Sequence, residues 1–267
     1  MSQELQQTFD RTVEEGVYRI NRSTQSLLAT GMVGGLDVAM GVFALLLVKE
    51  ETKNEVAAAV AFSIGFIALT LANSELFTEN FLVPINAVAA RRGEWPNVLR
   101  LWGGTAATNL LGGWVLMGFV MGGLPQLRQT AVELGSHYSR LGIGWTSFAA
   151  AVLGGTVITL MTWMEHSSDS VGAKLVAAIV AAFLLAAGSL NHVIVVSIEM
   201  FAALQAHAPF GYADWAGMAA WAALGNMIGG IGLVTVLRLV QVTGEDSNSA
   251  NRNRSRSGGR RRSRRGS

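Results

Sequence analysis

The chain has 267 residues, 51% hydrophobic and 14% charged, with a mean hydropathy of +0.38. Charged residues make up about a quarter of an ordinary soluble domain, so this composition excludes a typical soluble enzyme and fits a polytopic membrane protein. There is no cysteine, which excludes disulfides and thiolate metal sites, and the net charge of +2 divides into +6 after residue 244 and −4 before it.

Residues 2–22 carry Leu5, Phe9, Val13, Val17 and Ile20 at helical spacing, with Arg11, Glu14, Glu15, Arg19 and Arg22 on other faces. This predicts an amphipathic helix on a membrane surface or on the protein's own rim, forming a cytoplasmic N-terminal region, 1–24. It is charged throughout and lacks the apolar stretch of a signal peptide.

Six apolar segments follow, at 27–48, 56–90, 98–123, 142–164, 171–205 and 215–240, and predict an all-α membrane domain over 25–242. A straight span needs roughly 20 residues, so the second and fifth segments are long enough for broken helices. The second is interrupted from Ala72 to Pro84 by Asn73, Glu75, Thr78, Glu79 and Asn80, and the fifth at Ser189-Leu190-Asn191-His192. Polar groups at membrane depth survive where protein or a water-filled cavity surrounds them. Asp37, in the first segment, is expected to pair with a polar residue between helices.

A shift of 117 carries Glu75 onto His192 and Asn109-Leu110-Leu111-Gly112-Gly113 onto Asn226-Met227-Ile228-Gly229-Gly230, while a shift of 120 carries Gly34-Gly35 onto Gly154-Gly155. These matches predict an internal repeat with His192 opposite Glu75. Interrupted helices in two halves point to a transporter's central site.

The linker 124–141 is mildly amphipathic and is expected outside, along the interface. The tail, 243–267, is rich in Arg, Ser and Gly; it is expected to be a disordered cytoplasmic segment that could meet anionic lipid, with no specific nucleic-acid partner. Six spans place 16 lysines and arginines on the side of both termini and 4 on the other, so both termini are predicted to be cytoplasmic in a cell membrane. The histidines at 137, 166, 192 and 207 show no metal-ligand spacing, and neither metal nor cofactor is expected.

Ser74-Glu75-Leu76-Phe77-Thr78-Glu79-Asn80, His192 on the second interrupted segment and Gly225-Asn226-Met227-Ile228-Gly229-Gly230 together resemble the formate/nitrite transporter family, over roughly residues 25–242. The resemblance is to a divergent, poorly characterised branch. It implies an aquaporin-like protomer with an inverted 3+3 repeat, assembled as a homopentamer, and a channel or secondary transporter rather than an enzyme. Its substrate would be a small monovalent anion or the corresponding weak acid. Thr78 would face His192 near the pore centre. Leu76 and Phe77, with Phe62, Phe66 and Leu185, would form apolar constrictions, and the histidine would pass a proton to the incoming anion. Asn80, Asn191, Asn109 and Asn226 would support the loops.

Asn191 and Val196 stand where the family usually has glutamate and asparagine, and Arg140-Leu141 where a lysine is expected near the outer entrance. Glu199, two turns after His192 on one face, is expected to pair with it in place of the missing glutamate. A neutral-solute channel for water or a small polyol on the same scaffold is the alternative. A membrane scaffold working through its tail would not need polar residues at both interruptions.

Overall fold

The computed structural model describes residues 2–244, so the Arg-rich tail beyond lies outside the described residues. Every regular element among them is helical: α1 (Ser2–Asn21), α2 (Thr24–Thr52), α3 (Glu55–Ala72), a 3-10 turn (Phe77–Phe81), α4 (Val83–Ala89), α5 (Trp95–Gly123), α6 (Arg128–Leu141), α7 (Trp145–His166), α8 (Val171–Ala187), α9 (Val193–Gln205) and α10 (Tyr212–Met227). The last runs through a π-helical stretch, Ile228–Thr235, and on to Gly244. Five of these helices, α2, α3, α5, α7 and the full α10, are long and apolar enough to cross a membrane, whereas α8 and α9 are shorter apolar helices.

The places where the chain leaves the helix have local causes. Ser23 and Asn54 cap α2 and α3 by accepting backbone N–H bonds from Ser26 and Ala57. α3 ends at Asn73, in the left-handed region at φ 52°, and the corresponding exit after α8 uses Ser189 at φ 45°. Asparagine tolerates that conformation well; serine does so less readily. Within the interruption the chain makes a 3-10 turn, and Pro84 then sits in the first turn of α4, where its missing N–H costs nothing.

α2 packs between α3 and α5, α3 against α8, α7 against α10 and α5 against α9. Phe62, Phe66, Leu76, Phe81, Met117, Ile158 and Leu185 share one buried core. α1 takes the second of its two expected places, on the protein itself: it seats on α4 and buries Val13 and Ile20. Within the linker 124–141, α6 packs on α9 and buries Ala131 and Tyr138.

Candidate functional site

Two buried asparagines hold the two non-helical connections in place. Asn109 on α5 donates from Nδ2 to the carbonyls of Gly31 (2.6 Å) and Glu75 (2.9 Å), and its Oδ1 accepts from the N–H of Phe77 (2.8 Å). Asn226 on α10 donates to the carbonyls of Ala151 (2.7 Å) and Asn191 (3.0 Å) and accepts from the N–H of Val193 (2.9 Å). Each therefore satisfies two backbone groups of a connection that a helix would otherwise pair internally, and ties them to a carbonyl of a neighbouring helix. Close approach is required: a Cβ on Gly35 would collide with the backbone of Asn109, and one on Gly155 with that of Asn226. Asn191 itself donates to the Ser147 carbonyl, and its Oδ1 has no partner among the described residues.

The two connections meet at Thr78 and His192, whose Oγ1 and Nε2 lie 2.6 Å apart, both fully buried. His192 is also the N-cap of α9, and its Nδ1 accepts from the N–H of Val195 at 3.4 Å. An accepting Nδ1 leaves the ring proton on Nε2, so His192 donates to Thr78, and the threonine hydroxyl keeps its own hydrogen to offer elsewhere. Leu76, Phe77, Phe62, Phe66 and Leu185 are buried in the apolar cluster that also holds Ile194 and Val195.

Glu75 does not face His192. It belongs to a charge network at the end of the molecule where α1 docks. Arg22 donates to Glu75 at 2.8 Å and Arg19 to Glu79 at 3.1 Å. Asn80 donates to Glu75 at 2.7 Å and accepts from Arg19, and Thr105 adds a weaker bond to Glu75. Burial alone would lower the Arg19 pKa; Glu75, Glu79 and Glu15 outweigh it and hold it above its ordinary value. A cavity of about 180 Å³ opens here, lined also by Thr70, Glu165, His166 and Lys174. Asp37 accepts from Ser74 at 2.6 Å, the interhelical pairing expected of it. The arginines were not foreseen as partners. The signal was there in charge balance, since two carboxylates buried at membrane depth need two cations and α1 supplies the nearest.

Glu199 does not pair with His192 either. Its carboxylate lies beside the Tyr138 phenol of α6, and Oε2 has no hydrogen-bond partner. It lines a cavity of about 360 Å³ at the α6 end, together with Lys49, Glu55, Glu133, His137, Tyr138 and Arg140. Burial, then Arg140 and Lys49, push the His137 imidazole below its ordinary pKa, so it is neutral near pH 7. Among the described residues no group of three or more metal-ligating side chains occurs.

The sequence profile described as formate/nitrite transporter matches residues 6–240. Inner membrane protein YfdC of Escherichia coli (strain K12) is 24% identical over 258 residues, 88% of this chain and 78% of that protein. Uncharacterized transporter YrhG of Bacillus subtilis (strain 168) is 23% identical over 239 residues, 84% and 89% of the two chains. Among solved structures, an FNT family ion channel superposes with a TM-score of 0.77 at 16% identity, covering 88% of this chain and 98% of its own. A pentameric formate channel with formate bound superposes with a TM-score of 0.63 at 18% identity, covering 81% and 96%.

Proposed function

The chain belongs to the formate/nitrite transporter family, and from that premise we propose that this multi-pass membrane protein conducts a small monovalent anion or its conjugate acid, with proton transfer at His192. The observation that carries this reading is the Thr78–His192 hydrogen bond, 2.6 Å long and fully buried among apolar side chains. A bare anion entering such a slit loses its hydration at large cost, whereas a neutral acid loses far less. The polar pair supplies what the slit lacks. The Thr78 hydroxyl can donate to an anion, the N-terminal end of α9 attracts negative charge, and the His192 ring carries on Nε2 a proton that it can exchange. Leu76, Phe77, Phe62, Phe66 and Leu185 would form the constrictions on either side.

The two asparagine cradles support an inverted repeat, and the helix order supports six spans, with α3–α4 and α8–α9 each forming one broken span. The N-terminal region 1–24, the channel 25–242 and the tail 243–267 would be the working divisions, with both termini cytoplasmic, as the positive-inside rule requires. One solved relative is named a pentameric formate channel. Exposed Phe119, Leu99 and Trp114 offer apolar surface for lipid and for neighbouring protomers, which supports a homopentamer.

The test is flux in proteoliposomes with formate, nitrite, hydrosulfide, water and a small polyol, on protein whose mass in mild detergent is that of five chains. Wild type should pass at least one weak acid with a steep pH dependence, His192→Asn should flatten that dependence while assembly persists, and His192→Phe should block flux. Passage of water or polyol alone supports the neutral-solute channel, and an unchanged pH profile in His192→Asn reduces the ring to a structural hydrogen bond. A mass of one chain across several mild detergents overturns the pentamer.

A further inference from the structure

We propose that Glu199 and Tyr138 form a second proton-transfer site, in the vestibule at the α6 end, where a weak-acid anion takes up its proton before reaching the Thr78–His192 pair. This rests on the transport reading above and adds a separate place for the proton. Glu199 lies seven residues along α9 from His192, about 10 Å at the helical rise. It is 3% exposed, on the wall of a cavity of about 360 Å³, with Oε2 unpartnered.

A buried carboxylate without a partner is costly, and this protein shows the contrast within itself. At the α1 end Glu75 and Glu79 are matched by Arg22 and Arg19. Glu199 has no ion-pair partner among the described residues; the Tyr138 phenol beside it supplies a single hydrogen bond. The free oxygen is thus suited to carrying a proton that it can give up.

The groups around it carry both charges, and Arg140 has no ion-pair partner among the described residues. α6 presents Tyr138, His137, Glu133 and Arg140, the end of α2 presents Lys49, and the start of α3 presents Glu55, with Lys49 and Glu55 bonded at 2.8 Å. Glu50 is engaged by Thr130 and Lys53. On α10 the Asp214 carboxylate accepts from the N–H of Gly211, and Tyr212 accepts from Trp114. α5, also packed on α9, has its one charged residue, Arg100, bound to Ile20 and Arg22 near α1. Lys49 and Arg140 can draw an anion into the same cavity that Glu199 lines.

The step is a proton transfer. The O–H bond of the Glu199 carboxyl breaks and an O–H or S–H bond forms on the anion. The carboxylate left behind accepts from Tyr138, then regains a proton from water in the open cavity. Flux in the other direction reverses each step.

The experiment compares full-length wild type, Glu199→Gln and Tyr138→Phe in proteoliposomes, with formate and hydrosulfide, from acid to alkaline pH. Glu199→Gln should cut uptake roughly tenfold at alkaline pH, where the anion dominates outside, and little at acid pH, where the neutral acid is already present. Tyr138→Phe should give a smaller loss of the same shape. An unchanged Glu199→Gln profile overturns the site, and so does an equal loss at every pH, which marks a structural role. pH-difference infrared spectra without substrate should show a protonated-carboxyl band in wild type that is missing in Glu199→Gln; its absence from wild type also overturns the site. Wild type that conducts no weak acid overturns the transport reading itself, which keeps the two failures distinct.

Discussion

Asn109 and Asn226 stand out in the sequence because an uncharged polar residue in an apolar helix must have a reason to be there, and each turns out to hold three backbone groups. Truncating Asn109 to Ala would leave the Phe77 N–H and the Glu75 carbonyl buried and unpaired, and would remove a second bond from the Gly31 carbonyl, which keeps its place in α2. At roughly 1–3 kcal/mol for each such group, with partial relaxation, Asn109→Ala should lose about 3 kcal/mol, read as a clear drop in thermal unfolding temperature in detergent. Asn109→Asp keeps the acceptor but turns a carboxylate on two carbonyls, and should lose at least as much. An unfolding temperature within a degree or two of wild type in both variants would show that the cradle is not what holds the loop. The Thr78–His192 pair was expected from the family resemblance, whereas the internal repeat pointed to Glu75. A shift of 116 relates Phe77 to Val193 and Glu75 to Asn191 through their asparagines, but the hydrogen-bonded pair Thr78–His192 is 114 apart. The first connection, from Asn73 to Leu82, is longer than the second, from Gly188 to His192, so no single offset aligns both. Glu199 was visible as a buried acid, but which face of α9 meets α6 is a packing outcome that spacing along one helix does not encode.

At the scale of elements, helix positions followed closely from hydropathy and capping, whereas the π-helical stretch had no local signal beyond its glycines. Its cause is tertiary. A Cβ on Gly230 would press on Phe81, and Thr235 donates to the Phe81 carbonyl at 2.7 Å, so the widened turn receives the 3-10 segment. α1 illustrates the opposite case, an element readable in outline whose docking depends on charges elsewhere. Burial pushes the Glu15 carboxyl up, and the charge and hydrogen bond of Arg19, with His166 and Arg22 behind them, outweigh it and hold its pKa below the ordinary value. A carboxyl with a depressed folded pKa contributes stability that is present above the ordinary glutamate value, about 4.3, and is lost as pH falls through the folded value. Docking of α1 should therefore weaken as pH drops below about 4.3. Hydrogen exchange of residues 5–20 across an acid titration should show protection falling there, whereas Glu15→Gln, with no carboxyl to titrate, should start less protected and lack that step. Protection that is flat through that range in both proteins would mean apolar packing on α4 alone holds the helix.

For the whole molecule, the sequence argument for orientation assumed that particular loops share a side, and the folded chain puts their charges where that assumption needs them. Arg100 donates to the carbonyls of Ile20 and Arg22, Lys174 lines the cavity that holds Arg19 and Arg22, and Arg11 pairs with Asp169. Lys49 and Arg140 share the cavity at the other end. Positive charge thus gathers around α1, which by the positive-inside rule makes this the end predicted to be cytoplasmic. With no native cysteine to interfere, single cysteines at Ser2, Ser257 and Glu51 report this directly. In intact cells a membrane-impermeant thiol reagent should label Glu51→Cys, exposed in the last turn of α2, and should spare Ser2→Cys and Ser257→Cys until the membrane is opened. Labelling of Ser2→Cys and Ser257→Cys with Glu51→Cys protected would invert the protein. It would put the arginine-matched glutamates on the outside and the unpartnered Glu199 on the inside, reversing which vestibule hands a proton to an incoming anion. Labelling of only one terminus would require an odd number of spans and would separate α3–α4 or α8–α9 from the single broken span each is proposed to form.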